Sequence, residues 1–314
     1  MARSATIMVL VLLAALLHAS WNAVVKSSPD KFLDVVLVTS GAAALSGVIL
    51  LFLPAPEPQS WPYLAASVII HVGYFVLLGA AYRFGDMSHV YPLMRGVPPL
   101  LVAVASGPLL GERPTFGSWC GILLICGGTL CLSMVRRQHG RAAAGSTALA
   151  LMNAVVIATY TAVDGIGVRL SGHAAAYTLY VFLFGAPLIA GWALLRRPTT
   201  VLEHFWSRWH FALLGGACSV AAYTLTLWAM THAPIALVAA LRETAIMFGT
   251  AISVLLLGER LAWGRYAAIA AIMMGAIVLR LRLVSMGDSL CKQAIHRSDA
   301  RTGPAALGDG SYRR

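Results

Sequence analysis

One apolar stretch occurs twice in this chain. Residues 91–113 read YPLMRGVPPLLVAVASGPLLGER, and residues 238–260 read VAALRETAIMFGTAISVLLLGER. Aligned without a gap they agree at seven of 23 positions and close on the same Leu-Leu-Gly-Glu-Arg. The offset of 147 sets Arg95 on Arg242, each inside an otherwise apolar, helix-length run. Gly117, Ile122, Ile125 and Gly128 recur at the same offset as Gly264, Ile269, Ile272 and Gly275. The chain is therefore expected to be two copies of one multi-helix unit.

Composition settles where that unit sits. Hydrophobic residues make up 59% of the chain and charged residues 11%, whereas a soluble domain carries about 25% charged residues. Mean hydropathy is +0.78. The reading is an all-α integral membrane protein. A spanning helix needs about 20 mostly apolar residues. Ten such runs can be drawn, at 5–25, 32–53, 61–82, 87–110, 116–135, 147–168, 174–195, 209–230, 234–257 and 262–282. Their links carry helix breakers, as in Pro54-Ala-Pro56-Glu-Pro58 and Arg196-Arg197-Pro198. The repeat pairs runs four and five with nine and ten, so the unit has five helices. An odd unit makes the second copy enter from the opposite side, giving two inverted five-helix repeats. Residues 1–140 form the first repeat, 141–283 the second, and 284–314 read as a disordered basic tail. Residues 1–20 imitate a signal peptide, but with so many spans behind them they read as an uncleaved first helix.

The net charge of +11 lies mostly in short loops and the tail, where basic residues set topology or meet anionic lipid. It forms no stripe on a folded polar face, so nucleic-acid binding is not expected. With a cytoplasmic N-terminus, ten basic residues fall on the cytoplasmic side and eleven opposite, which leaves sidedness undecided. The five cysteines have no metal spacing, and four lie within apolar runs as packing residues. No metal or cofactor site is expected.

Of 23 lysines and arginines, 21 fall in loops, helix ends or the tail; the exceptions are Arg95 and Arg242. A charge at bilayer depth costs about 2.5 kcal/mol or more and faces a cavity or a partner. Each arginine lies about 12 Å into its helix at 1.5 Å per residue. Descending from opposite faces of a core about 30 Å thick, they come to within roughly 6 Å of one level. That implies one shared, positive, midplane site. Glu243 points about 100° away from Arg242, too far to pair with it, but can reach Arg95 across the centre. It is either the acid of a buried pair tying the repeats together, part of the substrate site, or a proton carrier.

Tyr91 lies one turn before Arg95 on the same face. Pro98 and Pro99 remove the backbone bonds to the carbonyls of Met94 and Arg95, marking a hinge. Run nine has no such prolines and is expected to stay straighter. His18 and Asn22 share one face of the first helix, beside Trp21 and Lys26, which suit an interfacial belt. His71 and Tyr74 in run three, and Tyr160 and Asp164 in run six, are possible secondary contacts or interhelical hydrogen bonds. The Gly117/Gly121 and Gly127/Gly128 spacings permit close helix packing. The Gly-Glu-Arg ends read as helix stops, with glycine as a left-handed cap and Pro114 following. Neither Glu112 nor Glu259 is assigned to the site.

The five-plus-five layout resembles the EamA-like branch of the drug/metabolite transporter superfamily. The resemblance rests on His18-Ala-Ser-Trp21-Asn22-Ala-Val-Val-Lys26, Tyr91-Pro-Leu-Met-Arg95-Gly, both Leu-Leu-Gly-Glu-Arg ends and Ala240-Leu-Arg242-Glu243-Thr. It covers about residues 5–282. It implies a multi-pass inner-membrane secondary transporter, often a metabolite or amino-acid exporter, with cytoplasmic termini and a cavity between the halves. Small multidrug relatives use a carboxylate in the first helix, whereas residues 5–25 contain no acid. A small anionic or zwitterionic metabolite therefore suits the two arginines better than a lipophilic cation. The expected partners are that small molecule and the lipid bilayer, with the protein a monomer or homodimer. The alternatives are a proton-coupled exporter of drug-like compounds, a non-transporting scaffold with a filled centre, and an intramembrane enzyme. An enzyme is disfavoured because neither HExxH nor Gly-x-Ser-x-Gly occurs.

Overall fold

Each of the ten apolar runs is helical over most of its described length. The computed structural model describes residues 2–26, 30–85, 87–134, 141–257 and 263–301, and no strand occurs among them. Repeat one comprises α1 (Ala2–Lys26), α2 (Lys31–Leu50), α3 (Trp61–Phe84), the half-helices α4 (Met87–Gly96) and α5 (Pro98–Leu110), and α6 (Phe116–Met134). Repeat two comprises α7 (Arg141–Leu170), α8 (Ala174–Arg196), α9 (Pro198–Met230), the half-helices α10 (Ile235–Arg242) and α11 (Ala245–Leu257), and α12 (Trp263–Arg301). Among the described residues nine apolar spans of at least 18 residues could cross a membrane, and Phe116–Leu132 is a shorter tenth.

Helix ends follow local chemistry. Asp30 Oδ1 accepts the Leu33 amide at 3.1 Å and caps α2. Gly111 closes α5 at φ 66°, and Gly172 sits at φ 70° before α8, both left-handed positions that glycine adopts without strain. Two boundaries differ from expectation. The link 198–208 is helical and joins α9, which breaks at Arg208 (φ −130°, ψ 20°). There Asp34 of α2 holds His204 at 2.5 Å and Arg208 at 3.1 Å. The tail expected to be disordered from 284 continues α12 to Arg301. Residues 284–301 hold no proline and one glycine, so their backbone chemistry does not stop the helix. Residues 302–314 lie outside the described residues.

Exchanging the repeats maps the packing onto itself. α6 lies on its counterpart α12 and α2 on α8, while α3–α7 and α1–α9 are one contact seen twice. Small residues set the α6–α12 distance. A Cβ on Gly128 would lie 2.8 Å from the Ala268 carbonyl oxygen, and one on Gly275 would lie 2.8 Å from that of Gly121. These are the glycines paired by the offset of 147. Gly127 meets nothing within 4 Å, so only its neighbour serves the contact. Gly128→Val is expected to cost about 1–3 kcal/mol through overpacking. An unchanged melting temperature in detergent would show that these helices can part freely.

Successive spans alternate in direction, so the ends of α5, α7 and α9 return to the face where α1 starts. On that face the buried run Ile235–Leu241 anchors the main apolar cluster, with Ile7, Val11, Leu64, Val102 and Leu227. The half of the molecule toward the opposite face is less filled, and the arginines look into it.

Candidate functional site

Both arginine-bearing helices are interrupted directly after the arginine. In the first, Pro98 and Pro99 donate no backbone hydrogen bond, and the chain resumes with Leu100 donating to the Val97 carbonyl at 3.1 Å. The second was expected to run straighter, and it does not. Between α10 and α11 the amides of Glu243, Thr244, Ile246 and Met247 all donate to carbonyls three residues back, at 2.9–3.1 Å. This is a tightened, 3₁₀-like turn. The Thr244 hydroxyl also donates to the Leu241 carbonyl at 2.7 Å, competing with the α-helical ladder. Two chemistries thus yield one discontinuity in both repeats. Irregular backbone at this depth is tolerated where it lines a cavity or packs on protein.

The arginines meet at that cavity. Arg95 and Arg242, from antiparallel half-helices, line a space of about 110 Å³ together with His18, His71, Tyr74 and Tyr160. One water needs roughly 10–15 Å³, so there is room for a small organic solute. The lining positions on α1 lie near its end and those on α2 near its start. The cavity therefore occupies the half away from the face where α1 begins.

Glu243 stands 3.0 Å from Arg95 Nε, both side chains being under a tenth exposed. The charges touch without aligning: Arg95 Nε and Nη2 and Glu243 Oε2 have no hydrogen-bond partner. Glu243 does not line the main cavity. It borders a second, smaller space of about 10 Å³ with Arg95, Arg242, Pro98 and Pro99. Arg242 lies with its guanidinium 5.5 Å from the Tyr223 ring centroid. No carboxylate among the described residues pairs with it.

The other sequence candidates divide. His71 stacks on Tyr160 at 4.2 Å between ring centroids, with Tyr74 edge-on to both. Asp164 does not face the cavity. It is wholly buried and accepts hydrogen bonds from the hydroxyls of Tyr177, at 3.0 Å, and Tyr223. Asn22 donates back to the His18 carbonyl at 2.7 Å and does not line the space. Tyr91 is half-buried and also off the lining. Trp21, read as part of an interfacial belt, lines the cavity and donates to His18 Nδ1 at 3.2 Å. The side chain of Lys26 and all of Glu259 lie outside the described residues.

Sequence reasoning passed over Tyr223, Phe75 and Phe182, all on the cavity wall. It also read Glu112 as a plain helix stop. Glu112 instead accepts from Arg169 Nη2 at 2.6 Å and from the Ile235 amide, at the start of α10, at 2.9 Å. Arg169 in turn donates to the carbonyls of Met230 and Ala233 at 2.8 and 3.0 Å. This clasp joins the ends of α5, α7 and α9 to the start of α10 on the face away from the cavity. Among the described residues no cluster of three His, Cys, Asp or Glu side chains could hold a metal ion.

Comparison with known proteins gives one family and one fold. The EamA-like transporter family matches residues 5–134 and again residues 146–281. A solved structure described as "Crystal structure of protein" has a TM-score of 0.70 and 20% identity, covering 90% of this chain and 99% of its own. At that identity the likeness shows the fold alone. No curated protein matches the chain.

Proposed function

We propose a transport function from one premise: the chain belongs to the EamA-like transporter family. It is a multi-pass membrane protein of transporter type. Our reading is a secondary transporter in the cell's inner membrane. It exports a small polar or amphipathic metabolite, an organic anion or amino acid, by alternating access. One observation carries it. Two arginines from inverted repeats share a cavity wall, with a single carboxylate between them set behind Arg95. Such a site has positive charge to spare for an anionic group. The cavity also supports transport over a scaffold, because Arg95 borders open space and keeps an unsatisfied donor despite Glu243.

Alternating access needs one face shut while the other communicates with the site. The Glu112–Arg169 clasp is suited to that task, being built of charge-assisted hydrogen bonds that join the ends of four helices on one face. Losing a hydrogen bond to a charged group costs about 1.5–3 kcal/mol, so Glu112→Ala should loosen that face. A cysteine placed at Ala233, in a background without native cysteines, should then react with a polar thiol reagent about tenfold faster. An unchanged rate would mean that the clasp does not close the face.

Uptake of a metabolite panel into inverted vesicles, with and without a proton gradient, tests the reading as a whole. Concentrative uptake of an organic anion or amino acid is expected. Gradient-dependent movement of lipophilic cations alone would replace this reading with drug–proton exchange, and movement of nothing in the panel would favour a scaffold.

A further inference from the structure

Resting on the transport reading, we propose that the cavity selects aromatic monocarboxylates that carry no ammonium group. Three observations lead there: the unmet donors, the missing acid and the committed ring faces.

The cavity offers a carboxylate what it lacks. Arg95 is 7% exposed, and its Nη2 is buried without a hydrogen-bond partner. Arg242 reaches the same wall with a ring beneath it and no acid paired to it among the described residues. A guanidinium presents its donors as a planar fork that matches the two oxygens of a carboxylate. One carboxylate between these side chains would satisfy the buried donor and offset the surplus charge together.

Nothing comparable awaits an ammonium. Among the described residues lining the cavity there is no Asp or Glu. Asp164 has both oxygens occupied by tyrosine hydroxyls and is 0% exposed. Glu243 stands behind Arg95, against Pro98 and Pro99. The Thr39 hydroxyl donates to the Val35 carbonyl of its own helix, 2.8 Å away, and offers an ammonium only a neutral acceptor, with no counter-charge. Aromatic faces can hold a cation, but those beside the arginines, where an ammonium next to a bound carboxylate would fall, are committed: Arg242 lies over Tyr223 and His71 over Tyr160. An amino acid would therefore bring its ammonium, stripped of water, beside two guanidinium groups.

The rest of the wall suits a ring. Trp21, Tyr74, Phe75 and Phe182 surround the space with Val181 and Ile189. Tyr74 and Phe75 meet edge-on at 4.8 Å, as do His18 and Trp21 at 5.2 Å. These edge contacts leave Trp21 and Phe75 ring surface for offset or edge-to-face packing against a planar guest. A cavity of about 110 Å³ suits a single ring with a short acid arm rather than a fused polycycle.

The test is equilibrium binding to the purified full-length protein in detergent, using four probes: phenylacetate, phenylalanine, phenethylamine and cyclohexylacetate. Phenylacetate is expected to bind at least tenfold more tightly than phenylalanine and severalfold more tightly than cyclohexylacetate, with no competition from phenethylamine. Arg242→Gln should weaken phenylacetate at least tenfold, and Arg242→Lys less, with melting temperatures checked for both. Phenylalanine binding as well as phenylacetate, competition by phenethylamine, or binding by none of the four would overturn the proposal. Equal binding of cyclohexylacetate would overturn its aromatic half. The readout is binding, so the two readings fail separately. Phenylacetate bound but never moved in vesicles would sink transport alone, and transport of amino acids in preference to aromatic acids would sink this selectivity alone.

Discussion

Arg242→Gln is expected to abolish concentrative uptake while leaving the protein folded. The guanidinium of Arg242 lies over Tyr223 and reaches the cavity, and no carboxylate among the described residues forms an ion pair with it. Its loss to the fold is then one cation–π contact, about 0.5–2 kcal/mol. Its loss to an anionic substrate is a charged hydrogen bond worth about 1.5–3 kcal/mol, or roughly 10- to 150-fold in affinity. Initial uptake rates and detergent melting curves on the same preparation separate the two. Wild-type uptake by this variant would place the site elsewhere.

Arg95 and Glu243 should show the opposite balance. Both are nearly sealed, at 7% and 4% exposure, and they touch across the two repeats. Removing one member of a buried pair strands the other charge, which costs about 3–5 kcal/mol. Glu243→Gln, close to isosteric, is therefore expected to lower the melting temperature sharply. Arg95→Leu/Glu243→Leu removes both charges and should recover most of that stability, since replacing a buried pair by apolar groups is often neutral. The double variant should nonetheless fail to transport, because one of the two cavity cations is gone. A double variant as unstable as the single would show that stranded charge is not the cause. Normal transport by the double variant would remove Arg95 from the site.

The large architecture was legible because it leaves periodic marks. The offset of 147, the odd number of helices per unit and the lone arginines together implied an inverted pair. The 100° step between Arg242 and Glu243 allowed Glu243 to reach Arg95, among other roles, and the two stand 3.0 Å apart. What escaped depends on tertiary placement. The turn after Arg242 has no proline to announce it; it depends on a threonine hydroxyl bonding backward. Asp164 could be read as a secondary contact or as an interhelical hydrogen bond, and only the fold shows the latter, with tyrosines 13 and 59 residues away as the donors. Glu112 gave no hint of partners 57 and 123 residues distant. Tyr223, Phe75 and Phe182 sit in uniformly apolar spans, where periodicity cannot tell a lipid-facing ring from a cavity-facing one. Trp21 had a sufficient explanation as an interfacial anchor, and only the fold turned it inward.

Counterflow in proteoliposomes bears most directly on the central claim that one two-arginine cavity carries a small anion between the two sides. Vesicles are loaded with unlabelled organic acid and diluted into a trace of the labelled compound, with no ion gradient. Wild-type protein is expected to accumulate label transiently above its equilibrium level, and Arg242→Gln, though folded, to show none. Equal counterflow by the two proteins, or none by the wild type with any acid of the panel, would contradict it.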